Sequence, residues 1–319
     1  MPLSEFQLIA RYFGALPAAG PAEGVVLGIG DDAAILRVPS GEDLLVSIDT
    51  LVAGVHFPPS LSPRAIGHRA LAVNLSDLAA MGARPLWFTL AITLPEADPR
   101  WLADFAEGLG ELASRAGIAL VGGDTTRGPL SVTIQVHGAA APGAALRRDG
   151  ARPGDELWVT GRPGLAALGL RLLQSGAEAE DPACAAFLWP EPRIAFGLAL
   201  LGLASAAIDV SDGLLADAGH IAERSGCGIE IDAALLPLEA GLASLPRDEA
   251  LELCLGGGDD YELCFTAPPS AAADISAAAG RLGLPCRRIG RVHAGEGIRC
   301  PGFSPAHAGF QHFGANTDA

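Results

Sequence analysis

Strand-like and helix-like segments alternate along the whole of this 319-residue chain, and that alternation limits the folds it can adopt. The apolar run LWFTLAITL (86–94) is typical of a buried strand, whereas the amphipathic run 98–117 is typical of a helix. The alternation stops at residues 141–156, which are rich in Gly, Pro and Arg, and then starts again. This pattern predicts two α/β domains with mixed sheets, one over 1–140 and one over 141–319.

Capping residues predict where several helices begin and end. Ser4 with Gln7 makes a capping box before an apolar-periodic run, so a first helix should begin there. Ser62 followed by Pro63 should open a longer helix that runs to about Met81. In the second half, helices are predicted from residue 164, over 193–203, over 212–225 and over 269–282. The other predicted strands are 25–30, 33–38, 44–49, 118–123, 130–140, 156–161, 206–209, 228–233, 261–266 and 286–292.

Every one of the 21 basic residues is an arginine, because the chain contains no lysine. A Walker A lysine, a protein-kinase strand lysine and a Schiff-base lysine are therefore excluded. If the protein handles phosphate, then metal ions, arginines and backbone N–H groups must supply the positive charge. The formal net charge of −16 argues against a nucleic-acid or anionic-membrane partner.

Neither a targeting segment nor a cysteine motif is evident in the sequence. The longest apolar candidate, 198–208, falls short of the roughly 18–20 residues that span a bilayer. The first residues lack a basic segment followed by an apolar one, so we expect no signal peptide and a cytoplasmic protein. The six cysteines have no CxxC spacing and are expected to be small buried hydrophobic residues rather than zinc or redox sites.

Aspartates recur beside turn-forming or strand-ending residues at six separate places. Singly, each is typical of a turn or a helix cap. Asp77 differs, because it lies well inside a predicted helix among apolar neighbours, with Asn74 one turn earlier on the same side. An interior carboxylate in that position should be paired or bound to a metal ion. The six segments are GIGDD (28–32), SIDT (47–50), NLSDLAAMG (74–82), VGGDTTRG (121–128), IDVSDG (208–213) and GGGDDYE (256–262).

A cluster of these aspartates would need cations. Strand ends are where α/β sheets place their ligand sites. If several of the carboxylates converge there, their mutual repulsion decides what the site needs. Two unit charges about 4 Å apart cost about 4 kcal/mol at an effective dielectric constant near 20. Three such pairs would remove most of the roughly 5–15 kcal/mol by which a domain is stable. Oxygen ligands without a nearby Cys or His favour a hard ion, either Mg²⁺ or Mn²⁺.

The glycines beside the aspartates suit a phosphate group that arrives with magnesium. In such a site carboxylates hold the metal ions, the metal ions bridge phosphate oxygens, and glycine N–H groups cradle the phosphate. Gly122 and Gly123 before Asp124 repeat the arrangement seen in GIGDD. Arg147 and Arg148 are candidates to grip a polyphosphate, and the alternative for both is a solvated pair in the linker.

Six motifs taken together resemble the thiamine-monophosphate kinase family: GIGDDAA, SIDTLVAGVHF, NLSDLAAMGA, GGDTTRG, IDVSDGL and GGGDDYELCF. The resemblance covers nearly the whole chain in the family's order. The wider superfamily, with aminoimidazole ribonucleotide synthetase and selenophosphate synthetase, shares a two-domain α/β fold and metal-dependent use of ATP. The resemblance implies a homodimer, in which the sheets of the N-terminal domains join across a two-fold axis as a sheet or barrel, and a C-terminal α/β domain.

The resemblance also implies a reaction: direct transfer of the γ-phosphoryl group of ATP to thiamine monophosphate, giving thiamine diphosphate and ADP. The attacking phosphate oxygen is already ionised near pH 7, so we nominate no general base. The implied ligands of several Mg²⁺ ions are Asp32, Ser47, Ile48, Asp49, Asp77, Asp124, Asp209 and Asp212. The implied ATP contacts are Gly123, Asp124, Arg148 and Ser211, and the implied contacts of thiamine monophosphate are His56, Asp259 and Phe310.

Two positions depart from the family pattern. Ile48 lies where the family commonly has Thr or Ser, so it can offer only its backbone carbonyl. Asp259 stands where the family often has Glu, so its reach is shorter by one methylene. Without the resemblance, His56 would be interpreted as a loop histidine and Phe310 as a C-terminal packing residue.

Two other functions stay open from the sequence. One is a sibling ATP-dependent synthetase that acts on a formyl amide or on selenide. A selenide-using sibling should carry a reactive Cys or selenocysteine near the N-terminus, and the first cysteine here is Cys184. The other is a non-catalytic protein that binds divalent ions or regulates a partner, which would bind metal without turning over nucleotide.

Overall fold

A computed structural model of the chain describes residues 5–238, 240–307, 309, 310 and 312. The chain divides into two compact units. Unit 1 comprises Met1–Leu78 and Ala83–Ala145, and unit 2 comprises Ala79–Gly82 and Leu146–Ala319. Among the described residues, no helix is both long and apolar enough to cross a membrane.

Unit 1 contains a four-stranded mixed sheet and a separate pair of short strands. The strands of the unit are β1 (Val25–Leu27), β2 (Ile35–Leu36), β3 (Asp43–Val52), β4 (Arg84–Leu94), β5 (Ala119–Arg127) and β6 (Ser131–Ala140). Its helices are α1 (Glu5–Leu8), α2 (Pro63–Ala80) and α3 (Pro99–Ala116). The sheet order is β3-β6-β4-β5, in which β4 and β5 are parallel and the other neighbours are antiparallel. Strands β1 and β2 form a separate antiparallel pair.

Helices α2 and α3 cross closely because each has a glycine at the contact. A Cβ atom at Gly67 would collide with the carbonyl oxygen of Phe105, and a Cβ atom at Gly108 would collide with that of Arg64. Interior glycines cost helix stability, which this close backbone contact offsets through packing. The crossing fixes α2, and α2 carries the predicted ligand Asp77.

The two long helices of unit 1 begin and end where their capping residues predict. Asp98 accepts a hydrogen bond from the backbone N–H of Arg100 over 2.8 Å. Gly117, whose φ is +66°, directly follows the last residue of α3. Ser62 Oγ accepts a bond from the N–H of Ala65 over 3.3 Å at the start of α2. The predicted positions of both helices are confirmed. They could be predicted because capping depends on local residues and needs no tertiary context.

Unit 2 contains a six-stranded sheet with helices on both faces. Its strands are β7 (Glu156–Thr160), β8 (Ala206–Val210), β9 (Gly228–Ile231), β10 (Glu262–Ala267), β11 (Cys286–His293) and β12 (Gly297–Arg299). Its helices are α4 (Leu165–Gln174), α5 (Pro182–Leu188), α6 (Ile194–Ala199), α7 (Leu214–Ser225), α8 (Arg247–Gly256) and α9 (Ala272–Arg281). The sheet order is β12-β9-β11-β7-β10-β8, and β12 is parallel to β9 while the other neighbours are antiparallel.

Alternating side chains divide the core of unit 2 into two layers. Leu157 and Val159 of β7 pack with α7 and α8, whereas Trp158 between them packs with α6 and α9. Successive side chains of a strand point to opposite faces of its sheet, so the helices on each face cover one half of them. Mixed sheets covered by helices in both units confirm the predicted α/β class.

Several predicted boundaries are wrong. The strand predicted from Tyr261 begins at Glu262, because Tyr261 has a φ of +50° and is not extended. The helix predicted over 193–203 is only α6, since a turn that contains Gly202, with a φ of +78°, follows it. The first predicted helix continues from α1 as a π-helix, Ile9–Phe13, while Ser4 of its capping box lies outside the described residues.

Candidate active site

Three predicted ligands of unit 1 gather where strand β3 faces helix α2. Ser47 Oγ donates a hydrogen bond to Asp77 Oδ2 over 2.5 Å, and the backbone N–H of Asp49 donates to Asn74 Oδ1 over 3.0 Å. Strand alternation places the side chain of Ile48 on the opposite side of β3, where it is 57% exposed. The side chain of Ile48 therefore points away from those of Ser47 and Asp49, and only its backbone can serve as a ligand.

Helix α2 presents a polar pair among apolar side chains, as the sequence predicts. Asp77 is half-buried and Asn74 is fully buried. Asn74 Nδ2 donates to the carbonyl oxygen of Ala70 over 3.0 Å, so the amide is oriented with Oδ1 toward β3. The buried amide thereby fixes the backbone at Asp49.

The segment GIGDD forms an exposed turn. Gly30 has a φ of +126°, which favours glycine, and Asp31 Oδ1 accepts the N–H of Asp32 over 2.9 Å. Both carboxylates are exposed to solvent. The turn therefore holds Asp32 where a ligand from solution can reach it.

Gly123 and Asp124 lie in strand β5 next to β4. A Cβ atom at Gly123 would collide with the carbonyl oxygen of Leu90, so only glycine fits here. The register pairs Gly123 with Leu90 and Asp124 with Ala91, and across β6 it places Asp49 in the row of Gly123. Asp49 and Asp124 thus lie in neighbouring rows and three strand spacings apart, roughly 14 Å. The sheet alone does not bring these two carboxylates to one ion.

His56, predicted to contact thiamine monophosphate, lies in the turn that follows β3. Its Nδ1 accepts the backbone N–H of Val52 over 3.0 Å. A neutral ring in this arrangement carries its proton on Nε2. The turn therefore sets both the orientation of the ring and which nitrogen can donate.

In unit 2, one carboxylate holds the turn between β8 and α7. Asp217 Oδ2 accepts the N–H groups of Ser211, Asp212 and Gly213 over 3.0, 3.1 and 3.1 Å. Asp217 is only 3% exposed, and burial raises its pKa to about 7 although the three N–H groups favour the charged form. Asp209, a predicted metal ligand at the end of β8, is buried as well.

Asp259, a predicted substrate contact, is attached to the same turn. Its N–H donates to the carbonyl oxygen of Ser211 over 2.8 Å, and the hydroxyl of Tyr261 donates to its Oδ1 over 3.2 Å. Asp259 and Tyr261 have φ values of +66° and +50°, which L-residues rarely adopt. The Tyr261 N–H donates to the carbonyl oxygen of Val210 over 2.8 Å, so two backbone bonds hold this conformation.

Phe310, the other predicted substrate contact of unit 2, reaches the turn from the C-terminal segment. Its N–H donates to the carbonyl oxygen of Asp212 over 2.9 Å. Its ring meets the ring of His312 edge-on, with centroids 4.9 Å apart, and is 48% exposed. The structure therefore brings Ser211, Asp212, Asp259 and Phe310 together within unit 2.

Arg147 and Arg148 differ in their surroundings, although both are exposed. Arg147 makes a bidentate pair with Asp149, with N···O distances of 2.9 and 2.5 Å. The backbone carbonyl of Arg148 accepts a hydrogen bond from Ser225 Oγ over 2.9 Å.

Two acidic residues of the GGGDDYE segment, for which no role was predicted, lie beside Asp259: Asp260 is half-buried and Glu262 is buried. The carboxylate of Asp260 accepts the N–H of Gly164 over 2.7 Å at the start of α4, and burial raises its pKa well above the ordinary value. Glu262 pairs bidentately with Arg193 over 2.7 and 2.5 Å and accepts the hydroxyl of Thr160 over 2.6 Å. These bonds fix both sides of the strained Asp259–Tyr261 segment.

Asp217, in contrast, lies outside the segments that the sequence analysis singled out. Its signal was an acidic side chain in the first turn of a helix, where carboxylates often bind backbone N–H groups. The position did not stand out, because Asp217 is five residues beyond Asp212 and outside the glycine-rich motif.

The donor chemistry fits a hard divalent cation. In the part of the chain that the structure describes, no three His, Cys, Asp or Glu side chains are grouped closely enough to hold a metal ion. The predicted ligands are nevertheless all oxygen donors, which Mg²⁺ prefers. Burial raises the pKa of Asp212, and the charge of Asp259 raises it further against the opposing His312, His220 and Arg148. A cation at this carboxylate would favour its charged form.

The six cysteines are free thiols, as the sequence predicts for small hydrophobic side chains. Five are buried, and Cys286 is half-buried. Burial raises the pKa of Cys286 to about 12, and it raises the pKa of the other thiols too. They are therefore protonated and unreactive near neutral pH.

Comparison with known proteins defines the class first. The family model described as AIR synthase related protein, N-terminal domain, matches residues 30–140, and the C-terminal domain model of the same family matches 152–301. Together with the two mixed-sheet units, these matches make the chain an AIR synthase related protein.

Individual relatives show to which family within this class the chain is most similar in sequence and fold. Thiamine-monophosphate kinase of Escherichia coli (strain K12) is 49% identical over 300 residues, which cover 92% of each chain. The crystal structure of thiamine-monophosphate kinase from Stenotrophomonas maltophilia K279a matches with a TM-score of 0.87 and 47% identity, over 95% of this chain and 98% of that one. The structure of AaThiL complexed with AMPPCP and TMP matches with a TM-score of 0.77 and 33% identity, over 89% and 92%. The chain belongs to the thiamine-monophosphate kinase family.

Proposed function

We propose that the chain transfers the γ-phosphoryl group of ATP directly to the phosphate of thiamine monophosphate, giving thiamine diphosphate and ADP. This is the final step of thiamine diphosphate synthesis. The observation that carries the proposal is the high identity to thiamine-monophosphate kinase over nearly the whole length of both chains. The AaThiL complex with AMPPCP and TMP supports it, because an ATP analogue and the acceptor occupy that relative together.

The proposed substrate contacts suit the chemistry of thiamine monophosphate. The half-exposed ring of Phe310 offers a face to the cationic thiazolium, and the carboxylate of Asp259 can accept from the aminopyrimidine or lie near the cation. His56 can donate from Nε2 to the phosphate end, since its Nδ1 is occupied by the Val52 N–H. No residue acts as a base, because the attacking oxygen is already ionised near pH 7.

For ATP, we propose contacts at Gly123, Asp124, Arg148 and Ser211. Gly123 is proposed to contact a phosphate through its backbone, and Arg148 supplies the positive charge that a lysine supplies elsewhere. When bound, several Mg²⁺ ions neutralise the two phosphate groups that must meet. The residues proposed to hold them are Asp32, Ser47, the carbonyl of Ile48, Asp49, Asp77, Asp124, Asp209 and Asp212. We assign the N-terminal domain, 1–140, to metal and ATP binding, to which the C-terminal domain, 141–319, adds Arg148, Asp209, Ser211 and Asp212. We assign the reaction to the cytoplasm, where ATP is available.

A product assay tests the proposed reaction. The chain is incubated with ATP, Mg²⁺ and thiamine monophosphate, and thiamine diphosphate and ADP are quantified by chromatography. Equal amounts of both products support the proposal. ATP consumed only with a formyl amide or with selenide would indicate a sibling synthetase. Metal binding without any nucleotide turnover would indicate a non-catalytic protein.

Metal binding is tested separately by thermal unfolding. Mg²⁺ should raise the melting temperature, and Mg²⁺ with AMPPCP should raise it further, because a ligand at about 100 times its Kd adds roughly 2.7 kcal/mol. Asp49→Asn should weaken the response. Asp274→Asn, which removes an exposed carboxylate of α9, is the matched control and should retain it. A melting temperature indifferent to both additions would contradict the proposed metal sites.

We also propose that the chain is a homodimer. Apolar side chains on one side of the edge strand β3 support this: Leu44 is 43% exposed, Val46 is 52% exposed, and Ile48 follows in the same row. Val46→Asp should therefore halve the mass measured by light scattering. Leu282→Asp, at an equally exposed apolar residue of unit 2, should leave the mass of a dimer. A wild-type mass near 32.4 kDa would contradict the proposal.

A further inference from the structure

The turn Ser211–Gly213 has its backbone polar groups divided between two sets of partners. All three of its N–H groups donate to one oxygen, Asp217 Oδ2, over 3.0–3.1 Å. Asp217 lies in the first turn of α7, is 3% exposed and also donates its own N–H to the carbonyl oxygen of Gly213 over 2.9 Å. One buried carboxylate therefore sets the path of the turn.

The carbonyl oxygens of the turn bind the two proposed substrate contacts of unit 2. Ser211 O accepts the N–H of Asp259 over 2.8 Å, and Asp212 O accepts the N–H of Phe310 over 2.9 Å. These partners come from segments about 50 and 100 residues further along the chain, and both reach the turn by backbone bonds. The approach is tight, since a Cβ atom at Gly258 would collide with Ser211 O.

We propose that Asp217 is a positioning residue: by fixing the turn Ser211–Gly213, it sets the placement of the ATP and metal residues and of Asp259 and Phe310. The roles of those residues rest on the proposed function. Asp217 itself touches neither substrate. It acts through the turn, whose N–H side it binds and whose carbonyl side carries the substrate contacts.

This arrangement predicts that loss of the Asp217 carboxylate weakens the binding of both ATP and thiamine monophosphate. Loss of the Asp217 carboxylate leaves up to three N–H groups without their acceptor, and the turn must rearrange to pair them. Such a rearrangement moves Ser211 and Asp212 together with the backbone partners of their carbonyl groups. A variant at Phe310 alone, in contrast, should affect only thiamine monophosphate.

Kinetics of three variants test the proposal. Asp217→Ala should raise the KM for ATP and the KM for thiamine monophosphate each by about 10-fold or more, as loss of a supporting partner does in other sites. Asp217→Asn retains a carbonyl oxygen that can accept the same three hydrogens, so both KM values should stay within about threefold of wild type. Ile221→Ala removes a fully buried side chain one turn further along α7 and is the control for destabilisation. It should lower the melting temperature and leave both KM values unchanged.

Amide hydrogen exchange of the wild-type protein gives a second measurement, which does not depend on whether Asp217→Ala folds. The N–H groups of Ser211, Asp212 and Gly213 should exchange at least about 100-fold more slowly than those of the exposed turn 178–180. Equal exchange rates would overturn the proposal. KM values in Asp217→Ala no higher than in Ile221→Ala would overturn it as well. An inactive wild-type protein would instead contradict the proposed function, and the exchange rates would still decide whether Asp217 fixes the turn.

Discussion

Ser47 Oγ and Asp77 Oδ2 lie 2.5 Å apart and share a hydrogen bond, although 30 residues separate them in the chain. The bond joins β3 to α2, and both partners are proposed metal ligands. A neutral hydroxyl thus donates to a half-buried carboxylate of α2.

Asp77→Asn should reduce kcat about 100-fold or more, because it removes a negative charge from the proposed metal site. Ser47→Ala should cost about 10-fold and raise the Mg²⁺ concentration for half-maximal rate, since the hydroxyl is a weaker ligand and orients Asp77. Initial rates over a Mg²⁺ titration measure both effects. Equal losses in the two variants, with no change in Mg²⁺ dependence, would indicate a structural hydrogen bond.

Asp49→Asn and Asp124→Asn should each abolish most turnover while the fold stays intact. Each loses a charge that the proposed metal ions need, and repulsion between carboxylates falls when no metal is present. The melting temperature without Mg²⁺ should therefore be equal to that of wild type or higher. Rates at saturating Mg²⁺, with Asp274→Asn as the control for a distant charge, decide the matter: near-normal rates in both variants would remove these residues from the site.

Phe310→Ala should raise the KM for thiamine monophosphate several-fold and leave the KM for ATP nearly unchanged. A contact between a heteroaromatic ring and an aromatic side chain is worth about 1–3 kcal/mol in comparable stacking. Phe6→Ala, which removes an exposed phenyl ring of unit 1, is the matched control and should change neither constant. Equal weakening of both substrates in Phe310→Ala would make Phe310 a packing residue.

Asp260 should make the free energy of unfolding depend on pH. Burial raises its pKa in the folded state, so its favourable contribution is present below the unfolded pKa, about 3.9, and is lost as pH rises toward the folded value. Asp260→Asn does not titrate and keeps an acceptor for the Gly164 N–H. The stability of the variant relative to wild type should therefore increase between pH 4.5 and pH 8 in urea unfolding. A difference that is constant over this range would contradict the burial of the carboxyl.

Local chemistry explains which elements could be predicted from the sequence. Helix α3 has its Asp98 cap and its Gly117 stop within one segment, and both ends were predicted. Strand β12 and helix α5 were not predicted. Strand β12 has only three residues and pairs with β9, so its stability comes from a distant strand rather than from its own sequence. Helix α5 begins after the cap Asp181, but its seven residues are too few to show a clear hydrophobic period.

The same distinction applies to the candidate site. Glycine and aspartate motifs indicated the segments around Asp49, Asp124 and Asp212, because turns and strand ends have sequence signatures. The roles of the residues that hold those segments were not predicted. Asp217 and Asp260 act by accepting backbone N–H groups after folding, and no spacing rule connects Asp260 to Gly164, 96 residues earlier.

Direct transfer of the γ-phosphoryl group to thiamine monophosphate is tested most directly by following that group. The chain is supplied with Mg²⁺, thiamine monophosphate and ATP radiolabelled at the γ-phosphate, and the products are separated as they form. The proposal predicts that the label appears in the terminal phosphate of thiamine diphosphate at the rate at which ADP is released, with none passing first through inorganic phosphate. Label released as inorganic phosphate, with thiamine monophosphate unchanged, would contradict it.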